Sequence, residues 1–381
     1  MLRPTDQQVD RRHFLAASGG VLAASALPAG KLWARPADAA PVTAPPVTAA
    51  NQPAAESMVK ALYETLTPGQ KEAICFGWGH VDPRRGLLRT RVSNNWQITR
   101  PTLSDDFYTD EQREIIRKIM EGIYSPEWID RIDKQLGDDS GGWQEGSIAI
   151  FGEPSAPGAD PGTGPGAAAG GKFEFVMTGR HQTIRCDGNT AEHVAFGGPI
   201  FYGHDADGFY EGPDHPGNVY WPQALAANGL YQMLDGEQQQ AALVRRGMPR
   251  ERQVAFKGAA GRFQGIPVAQ LAEDQKDHLR DVLKVLLEPY REIDRQEVRA
   301  CLDAQSGPGA TDGPGGTSGP GALSGLDACH LAYYAQGDIG EDGVWDNWRL
   351  EGPSFVWHYR GAPHVHVWVH VADNPAVKLN A

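Results

Sequence analysis

The chain has 381 residues and a formal charge of -13 at neutral pH. That charge argues against nucleic acid as a partner, because phosphate contacts need clustered Lys and Arg. No run of 18 apolar residues follows the N-terminal region, so no stable membrane span is expected once that region is removed.

The chain opens with Asp10-Arg11-Arg12-His13-Phe14-Leu15 and an Ala-rich, weakly apolar run to about Ala29. Adjacent arginines before a short apolar stretch predict a twin-arginine signal peptide over residues 1–39, with a small-residue cleavage site at Ala37-Asp38-Ala39. Export by that route places the protein in the periplasm or outside the cell. Residues 40–53 read as a Pro/Ala-rich linker, and residues 54–375 as a single domain.

Within that domain, Met58, Leu62 and Leu66 recur at helical spacing. Thr67-Pro68 can stop that helix and start another, since Thr caps and Pro suits the first helical position. Residues 87–98 read as strands with a turn at Asn94-Asn95. Residues 109–123 read as a helix, and Ser125-Pro126 opens the next, to about Leu136. Ser147 to Phe151 is a short strand. Residues 153–171 are almost entirely Gly, Pro, Ala and Asp, a loop insertion too poor in apolar side chains to pack a core. Strands follow over residues 172–177, 181–186 and 194–202, then helices over residues 222–234, 236–244 and 268–305, the last broken at Pro289. A second Gly/Pro-rich loop insertion covers residues 306–321. Helices in two blocks, with strands in the middle and at the end, indicate an α+β fold. Its sheet is expected to be largely antiparallel and flanked by helices.

The most informative stretch is residues 345–371, which holds His358, His364, His366 and His370. Two β-prone runs, residues 353–359 and 363–371, flank Arg360-Gly361-Ala362 and predict a hairpin. In the second run His364, His366, Trp368 and His370 alternate with valines, so the two sets face opposite sides of a strand. Periodicity does not say which face is buried. If the histidines face inward they need partners, and a metal ion would satisfy them.

Four segments in order resemble the domain-of-unknown-function 3500 family of exported bacterial proteins. They are Gly179-Arg180-His181-Gln182-Thr183-Ile184, Gly198-Pro199-Ile200-Phe201-Tyr202-Gly203, Trp348-Arg349-Leu350-Glu351-Gly352-Pro353 and Pro363-His364-Val365-His366. Leu234-Asp235-Gly236-Glu237-Gln238 and Gly265-Ile266-Pro267-Val268 also have counterparts. The resemblance runs over residues 172–371 and is weaker before them. Arg180 stands where many members carry the first His of a His-His pair, and His358 where many carry Glu, an exchange between two metal-binding side chains. Residues 367–372 replace a Ser-Val-Trp-Arg-Asp-Pro ending. The family has no established reaction, so the resemblance implies export and a shared site, not a chemistry.

These residues predict a metal site of His181, His364 and His366, with His358 as a fourth ligand or as the group orienting one of them. His181 enters as the resembling candidate on a neighbouring strand. His-x-His on a strand sends two rings the same way, about 7 Å apart at the backbone, and three protein ligands leave a position open for substrate. An all-nitrogen set suits copper, favoured here, with zinc or iron as alternatives. The corresponding functions are a metal-dependent oxidoreductase, a zinc-dependent hydrolase, or a non-catalytic module binding a carbohydrate or other small-molecule ligand on Trp345, Trp348, Trp357 and Trp368. Arg180 and Arg360 are candidates for attracting an anionic substrate or stabilising developing charge. No Gly-x-Ser-x-Gly elbow occurs, which removes that route to hydrolysis. His80, His193, His204, His215, His278 and His330 read as surface or loop residues. Cys301 and Cys329, flanking the second insertion, are the preferred disulfide pair among the four cysteines, with free buried thiols as the alternative.

Overall fold

The structure, a computed structural model, describes residues 55–154, 172–188, 194–305, 324–339 and 342–377. The expected signal and linker, and the Gly/Pro-rich insertions apart from the first edge of the earlier one, fall outside these residues. Asn51–Ala381 form a compact unit of their own.

The helices among the described residues are α1 (Ala55–Thr65), α2 (Pro68–Ile74), α3 (Asp110–Ile123), α4 (Ile129–Ser140), α5 (Trp221–Met233), α6 (Gly236–Ala242), α7 (Glu273–Leu287) and α8 (Glu292–Ala304). The strands are β1 (Cys75–Phe76), β2 (Val81–Asp82), β3 (Gly86–Leu87), β4 (Ser147–Gly152), β5 (Phe173–Gly179), β6 (Gln182–Cys186), β7 (Ile200–His204), β8 (Leu243–Val244), β9 (Ile266–Pro267), β10 (His330–Tyr334), β11 (Asn347–Gly352), β12 (Phe355–Arg360) and β13 (Val365–Val371). The fold is α+β, as expected. Local chemistry explains the helix starts. Thr67, Thr109 and Asp235 each accept from the third residue on, while a Gln there reaches back to the cap amide. In α3 the buried set Ile116, Ile119, Met120 and Ile123 falls on one face.

One mixed sheet organises the molecule, in the order β1-β4-β5-β6-β7-β13-β12-β11-β10-β8, with β9 also on β10. Its central pairs are antiparallel, and only β1–β4 and β10–β8 run parallel. The sheet is buried on both faces. Val365, Val367, Val369 and Val371 join the large core that the helices cover. On the opposite face, Phe201, Val356 and Trp368 pack with Val254, Val92 and Phe256, and Ala149, Phe151 and Val176 pack with Leu88, Ile98, Trp78 and Trp96. That second layer is irregular chain rather than helix. Most of the expected strand over residues 87–98 is such chain: only Gly86–Leu87 is strand, and the rest is spent on tertiary contacts. Trp96 Nε1, for example, donates to Thr183 Oγ1 at 2.9 Å. The strand expected from residue 194 begins at Ile200, after a tight turn with Phe196 at φ 62°.

Two other expectations change. All four cysteines are free thiols, so the Cys301–Cys329 disulfide is absent. The two are buried against different neighbours: Cys301 by the backbone of Ala195 and Asp373, and Cys329 under Gly352. The tryptophans expected to form a binding surface are core residues. Trp348, Trp357 and Trp368 are buried, Trp348 stacks on Tyr359, and Trp345 packs edge-on to Tyr231, which leaves no open aromatic platform.

Candidate metal centre

His181 sits in a turn, not on a strand. Gly179 pairs with Gln182 across β5 and β6, which leaves Arg180-His181 as a two-residue hairpin loop. His181 takes φ 50°, a left-handed conformation uncommon outside glycine. Its amide donates to Asn95 Oδ1 at 3.2 Å, from the irregular layer. His364 and His366 lead into and lie on β13, where His366 pairs with Gly203 of β7. A Cβ on Gly203 would lie 2.2 Å from the Val365 carbonyl oxygen and 3.1 Å from His181 Cδ2. The bare α-carbon therefore allows the turn to deliver its imidazole onto His366.

The three rings converge through one kind of nitrogen. His181 Nε2 lies 3.0 Å from His366 Nε2, and His364 Nε2 lies 2.9 Å from the same atom. All three residues are buried. Each Nδ1 faces an acceptor: Asp139 Oδ2 at 2.5 Å for His181, the Phe209 carbonyl at 2.9 Å for His364 and Glu251 Oε2 at 2.6 Å for His366. Carboxylates and carbonyls accept, so each Nδ1 carries the proton. In that tautomer, neutral imidazoles would aim three lone pairs at one point, with no proton between them. A cation relieves that repulsion. Tetrahedral zinc with nitrogens at about 2.0–2.1 Å would separate them by about 3.3 Å, so small ring movements complete the fit.

Electrostatics keep His364 and His366 neutral. Burial lowers His366 to about 3, and the charge of Arg360 works in the same direction against the Glu251 bond. His364 is lowered, first by burial. Burial opposes ionisation of Glu251, but the bonds from His366 and Trp368 and the Arg360 charge outweigh it and hold the carboxyl at about 2. Imidazoles backed by carboxylates are the usual arrangement around bound metals, because the second hydrogen bond fixes the tautomer and raises donor strength.

A family model described as a protein of unknown function (DUF3500) matches residues 48–305, about two-thirds of the chain. The chain belongs to that family. The span differs from the resemblance read in the sequence: it takes in the N-terminal helices and stops before the C-terminal hairpin. It contains Asp139, His181 and Glu251 but not His364 or His366, so for this family member those two rest on geometry. No curated protein and no solved structure matches.

His358 stands apart from the cluster. It pairs with Trp368, two positions along β12 from the Arg360–His366 rung, and neither of its ring nitrogens has a hydrogen-bond partner. Its ring does not join the group of His181, His364 and His366, and without a hydrogen bond it orients none of them. His370 is a core residue, donating through Nδ1 to the Val254 carbonyl at 2.7 Å and stacking on Phe256, while its Nε2 has no hydrogen-bond partner. Arg180 and Arg360 border the site through its carboxylates. Arg180 pairs with Asp139 at 3.0 Å and Asp205 at 2.9 Å, and Arg360 with Glu251 at 3.0 Å. Arg180 is half-exposed and walls a shallow groove with Asn95, Trp96 and Gly179. Asp139, Glu251 and the Phe209 carbonyl were not legible in the sequence, since they lie 42, 115 and 155 residues from their partners and in no motif. Among the described residues a second group, His204, Glu211 and His215, also has metal-ligand spacing. His204 is fully buried on β7, which corrects its reading as a surface or loop residue.

Proposed function

We propose that this family member is a metal-dependent enzyme holding one divalent first-row ion on His181, His364 and His366. The observation that carries the reading is the convergence of three Nε2 atoms whose Nδ1 partners are all acceptors. A neutral three-nitrogen set suits zinc and copper alike. The carboxylates of Asp139 and Glu251 behind two of the rings favour zinc and hydrolysis over the copper-dependent oxidation that the histidine content suggests. A bound ion would supply Lewis acidity beside an open position. The chain's own residues do the rest. Asp139 and Glu251 orient the imidazoles, Arg360 holds Glu251, and Arg180 presents a cation to the groove, where it would draw in an anionic group of a small substrate.

Elemental analysis of protein purified from its exported compartment tests the proposal. This site should account for one equivalent of zinc or copper, lost in His366→Ala and kept in His278→Ala, whose ring binds the Ala226 carbonyl on the helical side. Paramagnetic resonance separates the metals, since Cu(II) gives nitrogen-coupled lines and zinc is silent. A wild-type protein that never binds metal, or a His366→Ala variant with a full complement, would refute the proposal.

A further inference from the structure

The second histidine group carries an inference independent of the first. His204 ends β7, and its register partner is Val365 rather than His366, so its ring leaves the opposite face of the sheet from the three-histidine cluster. The chain then loops out and returns to Glu211 and His215 before α5. Glu211 is buried, with its side chain 2 % exposed. One carboxylate oxygen, Oε2, accepts the amides of Ala206 and Asp207 at 2.7 and 2.8 Å. The other, Oε1, lies 2.8 Å from His204 Nε2 and 4.0 Å from His215 Nδ1. His204 is fully buried, yet neither of its ring nitrogens has a hydrogen-bond partner, although Nε2 lies within ion-pair distance of Glu211.

This arrangement leaves two needs unmet. A buried imidazole without hydrogen bonds is costly. Glu211 has amides on Oε2 alone, and its Oε1 faces two imidazoles rather than a Lys or Arg, a costly setting for a buried carboxylate. A divalent cation answers both. Gly217 carries no side chain into this space: a Cβ there would lie 3.2 Å from His204 Cε1, 3.1 Å from His215 Nδ1 and 3.2 Å from Asp138 Oδ2. Its amide donates to His215 Nδ1 at 3.0 Å, a bond that an ion on that nitrogen would replace.

We propose that His204, Glu211 and His215 form a second metal site, of a chemistry suited to zinc, that staples the loop following β7 to the sheet. Two imidazoles and one carboxylate are a recurrent zinc set. The staple also bears on the first site. The same loop carries Phe209, whose carbonyl receives the His364 Nδ1 proton, and Glu211, whose amide donates to the Pro363 carbonyl at 3.0 Å. Phe209 and Tyr210 are exposed at the loop tip, and the Phe209 ring packs edge-on to His364. Fixing both ends of the loop would hold the orienting carbonyl in place.

Zinc stoichiometry after equilibrium dialysis of the full chain against Zn(II) tests this. Two ions per wild-type chain are expected, one in His215→Gln, one in Glu211→Gln, one in His366→Ala and none in His215→Gln/His366→Ala. His215 is the least buried of the three, so its variant keeps the fold even if Glu211→Gln does not, and circular dichroism checks this. Hydrogen exchange should show amides of residues 205–217 opening at least tenfold faster in His215→Gln than in zinc-loaded wild type. A wild type that binds one ion, lost in His366→Ala but kept in His215→Gln, overturns the second site and leaves the first standing. One ion lost only in His215→Gln does the reverse.

Discussion

The carboxylates behind the histidines offer a graded test. Asp139→Asn and Glu251→Gln preserve shape and still present a carbonyl oxygen to Nδ1, so they remove the charge assistance while keeping a hydrogen bond. Charge-assisted bonds are roughly twice as strong as neutral ones, and loss of such a supporting partner weakens metal binding about 10- to 100-fold. The isosteric variants should therefore weaken zinc by about tenfold each, about 1.4 kcal/mol, and Asp139→Ala by about 100-fold. Because the carboxylates act on different ligands of one ion, the double isosteric variant should approach about 100-fold. Side effects differ between the two positions. Arg180 keeps Asp205 when Asp139 is changed, whereas Arg360, largely buried, keeps only the His364 carbonyl when Glu251 is changed. Glu251→Gln should thus also lower the melting temperature. The assay is competition with a chelator of known zinc affinity, in a His215→Gln background so that one site titrates. Affinities within twofold of the background protein for all of these variants would show that the carboxylates do not support ligands.

Three further expectations follow from other parts of the molecule. His358 is held at about 3, first by burial and then by the charge of Arg349. A base depressed in the folded state contributes stability fully above its unfolded value near 6.5, lost as pH falls from there toward 3. At pH 4.5 the loss is on the order of 2–3 kcal/mol, and His358→Leu, which breaks no hydrogen bond, should remove it. Denaturant unfolding at pH 7 and 4.5 checks this, and an unchanged difference between the two pH values would contradict it. Gly203→Ala forces a Cβ into the Val365 carbonyl and the His181 ring, so it should abolish zinc binding at the first site and cost about 2–4 kcal/mol of stability; a variant that binds and unfolds like wild type would sink the close-approach argument. We also propose that Arg11 and Arg12 route the chain through the twin-arginine pathway. Fractionation should then find Arg11→Lys/Arg12→Lys retained in the cytoplasm, and normal secretion of that variant would count against the route.

Among the described residues no helix is long and apolar enough to cross a membrane, in line with the hydropathy of the sequence. The helix starts at Thr67 and Thr109, the break near Pro289 and the C-terminal hairpin were legible because each depends on residues within a few positions of one another. So was the convergence of His181, His364 and His366, though only through motif resemblance for His181. The alternation on β13 established that histidines and valines face opposite ways, yet it was silent on which side is buried. The answer is both: helices cover the valines, and irregular chain from residues 88–98 and 251–256 covers the histidines.

Other features depended on contacts across the fold. Residues 87–98 read as strands, but their side chains are used on β6 and the His181 turn. His358 shares a face with His366, and only the register of β12 on β13 moves it two rungs away. Asp139 and Glu251 come from a helix and from irregular chain, and no local pattern marks an acid that will meet an imidazole 42 or 115 residues away. Sequence by itself determined the candidate donors His364 and His366, because side-chain chemistry and strand periodicity are local properties. The tertiary structure decided which nitrogens carry protons, which histidines meet and what holds them there. Those outcomes depend on hydrogen bonds between segments that only the closed sheet brings together.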